Sequence, residues 1–513
     1  MANQQINKPT ITNSLLGADL TPSLGEQKVL LVGQQSASTV LEKTLIENLQ
    51  SVAEVESTFG VRSELAAMYR AFRAINTVTQ VDAIALDNSG TGVASVGTVA
   101  FSGTAGANGT YTFIVGSAAN HTYTINVTSG DTATVIGEAL ATAINADLAN
   151  PVGAVNSTGT VTLTWVNKGT IGNDTHLSYE GIVDSVTVAL TAFASGANDP
   201  TVTGLYSVIG EKRYQTIIAP EYAQSETLTL LDGRWNIDNK VLDGIMIYGA
   251  TDTLANLKTK LSSVNSQNLI VFGNKLGTAS DFKGSETAEL DHVIAASFGA
   301  IRSLRFTDGA NLSDIVSGNV GVLDRTGGIQ SASLPYFNSP LSNISPIKPS
   351  KGFTETEIGE LRDARISVIG NDRADTSVLV GELVTAYKTD SGGNPDDSFK
   401  FLNFRDTYSV AAEYQFNNLK VDYAQSRLTP GDLVAGLTLA NDGSFRASMI
   451  RYYKDLTSFG ITPAGASYLN FYDTNLSISL DLALRKVTAE QKIPIVTQLG
   501  TISITSRLSF NVG

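Results

Sequence analysis

The run KVLLVGQ, Lys28 to Gln34, decides the fold. Val29, Leu30, Leu31 and Val32 follow one another without a polar break, which reads as a buried strand. Thr39 to Val52 is expected to follow as a helix. Next comes STFGVRSELAAMYRAFRAIN, Ser57 to Asn76, where Leu65, Met68, Tyr69, Phe72 and Ile75 fall at helical spacing. Ser63 is placed to cap that helix, and Arg62, Arg70 and Arg73 lie off its apolar stripe or towards its end. The alternation returns far downstream: RYQTIIAP (Arg213 to Pro220) and GIMIYG (Gly244 to Gly249), a helix through Leu254 and Leu257, NLIVFGN (Asn268 to Asn274), then SETAELDHVIAASFGAIRSL (Ser285 to Leu304). Strands alternating with helices predict a sheet covered by helices on its faces.

Between these halves the texture changes. From Asp87 to about Pro200 the chain is rich in Gly, Ser, Thr and Asn, with short alternating strands such as YTFIV (Tyr111 to Val115), HTYTINV (His121 to Val127) and VTLTWVNK from Val161. One helix, DTATVIGEALATAINADL, interrupts them. This has the character of a module inserted into a host domain. Beyond the host lies a Pro-rich joint, SLPYFNSPLSNISPIKPSKG (Ser333 to Gly352), and a last third in which SFRASMIRYYKDLTSFG (Ser444 to Gly460) reads as a helix.

The expected fold class is therefore a multidomain α+β or α/β chain. It combines a mixed sheet with flanking helices, an inserted β-rich domain, a C-terminal α/β domain and extended terminal arms. The boundaries fall at 1–24 for an N-terminal arm, 25–86 plus 201–333 for the host, 87–200 for the insertion, 334–500 for the C-terminal domain and 501–513 for a terminal strand.

Composition narrows the function. A chain of 513 residues exceeds one compact core, so two to four domains are expected. Apolar residues at 42% with charged residues at 16% describe a folded, globular protein. The net charge of −14 and the lack of a basic run argue against a nucleic-acid partner. No apolar stretch is long enough for membrane insertion, and MANQQINKPTITNSLLGADL does not read as a secretory signal. Cysteine is absent, which removes disulfides, thiol catalysis and Cys-based metal sites together. Asn-x-Ser/Thr triplets at Asn108, Asn120, Asn126, Asn156 and Asn173 read as polar loop and strand composition rather than glycan acceptors.

Chemistry is hard to find. Neither GxGxxG nor GxxxxGK[ST] follows a strand, so the phosphate cradle of a nucleotide site is missing. The cluster Gly273 and Gly277 in FGNKLG reads as an ordinary loop. No GxSxG elbow occurs. His292, beside Asp291, reads as a helix-surface or packed histidine rather than a general base, and Asp396 and Asp397 sit in a turn where Asp bonds its own backbone. No catalytic, cofactor-binding or metal-ligating residue is nominated, and no cofactor is expected.

The end of the chain is more informative. In TISITSRLSFNVG, Ile502, Ile504, Leu508, Phe510 and Val512 share one parity, so a strand here would have one apolar face. The same two-residue period marks LSISLDLAL, through Leu476, Ile478, Leu480, Leu482 and Leu484. A terminal strand either completes its own sheet or adds to another subunit's edge, where backbone hydrogen bonds supply affinity. Gly500 offers a swivel just before the tail.

KVLLVGQ, Phe59-Gly60 followed by SELAAMYRAFRAIN, SGDTATVIGEALATAINADL, NKGTIGND and LVTAYKTDSGGNPDDSFKFLN (Leu383 to Asn403) occur in this order. Together they resemble tail sheath proteins of contractile-tailed phages, in particular the Mu-like branch. The resemblance runs across nearly the whole chain, and no single motif carries it alone.

The resemblance implies a non-enzymatic virion subunit, assembled in the host cytoplasm, whose copies form a helical sheath of stacked rings. Its implied partners are further copies of itself, the tail tube protein that the sheath surrounds, and the baseplate and tail terminator proteins. It implies an outward-facing insertion, a tube-facing C-terminal sheath domain, and terminal arms that add strands to neighbouring subunits. Ile502, Ile504, Leu508, Phe510 and Val512 are then candidates for an inter-subunit strand. Arg446, Arg451 and Lys454 give the helix around Ser444 to Gly460 a local basic excess and are candidates for the tube contact. The alternatives are the sheath of a related machine, such as a bacteriocin or secretion system, and a β-rich adhesin or binding protein.

Overall fold

The computed structural model describes residues 27–308 and 336–496, apart from 38, 211, 236–243, 337–338, 349–351, 373, 459 and 484. At its centre β1 (Lys28–Gln34) lies between β3 (Gln80–Leu86) and β11 (Thr216–Ile218), parallel to both. The parallel run continues through β12 (Ile245–Asp252) and β13 (Leu269–Gly277). Both faces of these strands are buried, which is why their sequences are continuously apolar. Val29, Leu31, Ile218, Ile247 and Phe272 point into one core, and Leu30, Val32, Ile217, Met246 and Val271 into the other.

Helices cover each face. α1 (Val52–Phe59) leads to α2 (Glu64–Ile75), and the first core is closed by α2 with α6 (Asp291–Asp308). The second is closed by α4 (Gln224–Trp235) and α5 (Leu254–Lys260). Ser63 caps α2 as expected, its hydroxyl accepting from the Ala66 amide at 3.0 Å. Leu65, Met68, Tyr69 and Phe72 are buried along the predicted stripe.

Three expectations need correction. Thr39 to Val52 is not a helix: β2 (Leu45–Ile46) pairs antiparallel with β3, and the Leu49 amide donates to Val81. Without β2 the flank of β3 would lack a partner, so these amides serve the sheet. Lys43 and Asn48 take positive φ of 56° and 57°, and helix begins only at Val52, after the cap Ser51. Gly273 and Gly277 are no loop, since both lie in β13. A Cβ at Gly273 would meet Ile366 Cγ2 at 2.5 Å, so glycine there admits a close approach. Finally, Ser285 ends a strand, β14 (Phe282–Ser285), and α6 starts at Asp291.

The residues between β3 and β11 are β-rich, with the one predicted helix. β4 (Ala94–Gly103), β7 (Val152–Ser157), β8 (Thr160–Lys168) and β10 (Val186–Ala194) form an antiparallel sheet ordered β10-β4-β8-β7, against which α3 (Ala133–Ala146) packs. The other strands, β5 (Gly109–Val115), β6 (Thr122–Val127) and β9 (Leu177–Glu180), join the central sheet. β14 is the seam, with Phe282 opposite Ser178, so the large sheet runs β2-β3-β1-β11-β12-β13-β14-β9-β5-β6.

The C-terminal third is helical, with helices Glu355–Asp363, Leu402–Tyr423, Asp442–Ser458 and Ala466–Thr474 and a ribbon of Ser477–Asp481 against Lys486–Glu490. A buried ionic hub ties it to the sheet. Asp406 receives Nε and Nη2 of Arg302 at 2.9 and 2.8 Å, Nη1 of Arg405 at 2.8 Å and the Tyr336 hydroxyl at 2.8 Å. Arg302 Nη1 donates to Gln215 O and Thr216 Oγ1, and Arg405 Nη2 to Gly244 O and Asn268 Oδ1. Gln215, Gly244 and Asn268 immediately precede β11, β12 and β13, so the hub clasps the edge where these strands begin.

Candidate functional site

Ile502, Ile504, Leu508, Phe510 and Val512 lie outside the described residues, as do arm 1–24 and Gly500. The related period in LSISLDLAL is within them up to Ala483. Ser477–Asp481 pairs with Lys486–Glu490, Ile478 opposite Ala489 and Leu480 opposite Val487. Among the described residues this ribbon pairs with no other strand, and it rests on helix Asp442–Ser458. A two-stranded ribbon has little stability by itself, so its exposed backbone edges are natural acceptors of a further strand.

Helix Asp442–Ser458 is capped reciprocally, Ser444 N donating to Asn441 Oδ1 at 2.9 Å and Asn441 N to Ser444 Oγ at 3.0 Å. Phe445, Met449, Tyr453 and Leu456 are buried along one face, joined by Tyr452. The three basic candidates differ. Arg446 Nη1 donates to Leu476 O at 2.7 Å, and its guanidinium pairs with Asp473. Arg451 pairs with Asp422 and lies over the Tyr452 ring. Lys454 is exposed.

The histidines are built into the interior. His176 bonds Ser285 O at 2.8 Å and Ser178 Oγ at 2.7 Å, and His121 pairs with Asp147 at 2.8 Å. Burial holds His176 down at about 4 and His292 at about 3. Asp396 accepts from the Ser398 amide at 2.9 Å, the turn bonding expected of it, and Asp397 pairs with Arg365. Among the described residues no group of His, Cys, Asp or Glu converges to hold a metal ion. Nor is any described helix long and apolar enough to cross a membrane.

What the sequence did not disclose is a cleft of about 220 Å³ at the opposite edge from the ionic hub, where the parallel strands end. Ala219, Pro220 and Glu221 enter it from the end of β11, Tyr248 to Asp252 from β12, Glu64 from the start of α2, and Asp291 and His292 from the start of α6. β1 connects to β3 on one side and is flanked by β11 on the other, so the cleft lies at the switch point of the sheet order.

Two glycines let acids approach the strands closely. A Cβ on Gly33 would sit 3.1 Å from the Glu64 carboxyl, and one on Gly249 would sit 2.6 Å from Asp291 O. Glu64 accepts the Gln34 amide through Oε2 at 2.8 Å, while its Oε1 is buried without a hydrogen bond. The Tyr222 hydroxyl and His292 Nε2 are likewise buried and unpartnered.

The acids here resist ionisation. Burial pushes Glu64 up to about 8 and Glu289 to about 7. Asp174 rises to about 7 through burial and then the charges of Asp291 and Asp252, and burial lifts Asp291 to about 6 against its bonds from Thr251 and Asn274. Lys260 pairs with Glu221 at 2.7 Å. One signal could have led to the cleft: in α/β sheets, crevices form outside the carboxyl ends of strands, where Asp252 and Glu221 follow apolar runs.

No protein-family model matches the chain. The chain is similar to the Mu-like prophage FluMu tail sheath protein of Haemophilus influenzae, 30% identical over 247 residues, 46% of this chain and 50% of the relative. The chain thus spans about half the length of the curated relative it matches. This relative bears out the resemblance to Mu-like tail sheath proteins read from the sequence motifs. Among solved structures, the sheath tail protein Lin1278 of Listeria innocua aligns with TM-score 0.45 and 13% identity over 93% of this chain and 94% of that one. The contracted helical sheath of the anti-feeding prophage aligns with TM-score 0.46 and 9% identity over 98% and 99%.

Proposed function

We propose that this chain is the repeating subunit of a contractile tail sheath, a virion protein that polymerises around a tail tube and shortens to drive the tube through a cell envelope. The observation that carries this reading is the 30% identity over 247 residues to a protein named a Mu-like tail sheath. The exposed ribbon Ser477–Glu490 and the period-two tail fit it. A lattice whose subunits slide must keep some contacts while others break, and donated strands on extended linkers do this. At about 3.3 Å per residue, a few linker residues add on the order of ten Å of reach.

On this reading Ile502, Ile504, Leu508, Phe510 and Val512 form a strand between subunits, segment 334–500 faces the tube and 87–200 faces outward. Helix Asp442–Ser458 contributes to the tube contact, where Arg446 and Arg451, tied to Asp473 and Asp422, present fixed charge and Lys454 an exposed one. Contraction draws on energy stored in the extended lattice, so it needs no nucleotide.

Electron microscopy of the purified full-length chain tests the proposal directly. Hollow striated cylinders are expected; dispersed particles under all assembly conditions would overturn it. Deleting 501–513 should abolish cylinders while leaving the helical circular dichroism and melting temperature of the protomer unchanged. Changing Arg446, Arg451 and Lys454 to Glu should prevent assembly on tubes, and normal assembly with normal salt dependence would remove the helix from the tube contact.

A further inference from the structure

A sheath subunit that only packs against its neighbours has no use for a cavity lined with acids that outnumber its one lysine. Buried carboxyls are costly unless bonded, and natural interiors satisfy almost all of their polar groups. Glu64 lines the cleft and is 1% exposed, yet its Oε1 has no hydrogen-bond partner, and the Tyr222 hydroxyl and His292 Nε2, on two further lining residues, have none either. The cleft also occupies the switch point outside the strand ends, the usual place for a ligand in this architecture.

We propose that this cleft binds a short aliphatic diamine, one ammonium at Glu64 and Tyr222 and the other among Asp174, Asp252 and Asp291. The sign of the ligand follows from the lining: the acids outnumber Lys260, which is already paired with Glu221, so anions and phosphates are repelled. A metal ion fits poorly, because the described carboxylates do not converge on one point. They form two groups instead. Glu64 packs against Gly33 and Gln34 at the end of β1, whereas Asp291 packs against Gly249 and bonds Thr251 at the end of β12, with β11 between those strands. Met68, Ile171, Ile218 and Leu290 add apolar wall to the same cleft, suited to methylenes. The volume of about 220 Å³ is below the roughly 300–1,000 Å³ of drug-sized pockets, which suits a ligand of a few heavy atoms.

Because burial keeps these acids partly protonated near neutral pH, an entering diammonium displaces protons. Binding is therefore accompanied by proton release. The proposal does not depend on assembly into a sheath.

The test is isothermal titration of the full-length chain with 1,4-diaminobutane at constant ionic strength and pH 7.5, in two buffers of different ionisation heat. n-Butylamine and magnesium chloride serve as separate probes. Saturable binding of one diamine per chain is expected, with buffer-dependent heat that reports released protons. Butylamine should bind at least about tenfold more weakly, and E64Q and D174N should each weaken the diamine about tenfold or more, as for the loss of a charged hydrogen bond. Melting of each variant without ligand checks its fold, and D174N carries the test if E64Q does not fold. No saturable heat, butylamine matching the diamine, magnesium binding more tightly than the diamine, or folded variants that bind like the parent would each overturn the proposal. Butylamine parity would point to a lysine side chain from another protein as the occupant.

Discussion

The two edges of one parallel sheet handle buried charge in opposite ways. Where β11, β12 and β13 begin, Asp406 is surrounded by the guanidiniums of Arg302 and Arg405 and the hydroxyl of Tyr336, and both arginines also bond the backbone just before those strands. Where the strands end, Glu64, Asp174 and Asp291 line one cleft with no arginine among them, and several buried polar atoms there have no bond. The first arrangement fixes the helical C-terminal third onto the sheet with directional contacts. The second is held in place by the fold at a cost in stability, which a bound cation would reduce.

The largest effect is expected at the hub. Asp406→Ala strands two buried guanidiniums and should lower stability by about 3–5 kcal/mol, the usual penalty for removing one partner of a buried pair. Urea unfolding measures it, and a loss below about 1 kcal/mol would mean that the hub joins nothing.

At the other edge the sign of a pH effect separates the two regions. Glu64 ionises near 8 in the fold, against 4.5 for an ordinary glutamate. The stability contributed by its protonated form is complete below about 4.5 and disappears as pH rises through about 8. Relative to Glu64→Gln, the parent should therefore lose stability between pH 5 and pH 9. The loss should be about 2–4 kcal/mol, since each tenfold change in proton affinity corresponds to roughly 1.4 kcal/mol. A parent and variant that melt in parallel across this range would show that Glu64 carries no such burden.

Smaller effects probe how closely the acids are held. Gly249→Ala places a methyl against the backbone of Asp291 and should cost about 1–3 kcal/mol by overpacking, visible as a lowered melting temperature. Ser117→Ala removes the 2.6 Å bond to Glu289 and should cost about 1 kcal/mol, read from urea unfolding. A stabilised Gly249→Ala protein would show that β12 and α6 can separate without penalty.

Elements defined by their own periodicity were legible in the chain itself. The stripe Leu65, Met68, Tyr69 and Phe72 lies on the buried face of α2, and Ser63 caps it. Val29 to Val32 form a strand buried on both sides. The failure at Thr39 to Val52 has a definite cause: the segment can be written as a helix, but the flank of β3 takes its backbone hydrogen bonds. Gly277 misled in the same way, because a glycine that reads as a loop locally can be a strand position pressed by a neighbour; a Cβ there would lie 1.8 Å from the Phe282 ring.

By itself the sequence determined the alternating strands and helices, the β-rich stretch inside them, the helix around Ser444 to Gly460 and the likeness to Mu-like tail sheaths. All of these are carried by residues close together in the chain or by motifs in a fixed order. Only the tertiary structure brought Arg302 to Asp406 and placed Glu64, Asp174, Tyr222 and Asp291 around one cleft. Those residues are separated by dozens to hundreds of positions, and each looks like an ordinary polar residue in its own neighbourhood. Their protonation, pairing and exposure follow from which strand ends and helix starts the topology sets side by side, and no local period encodes that.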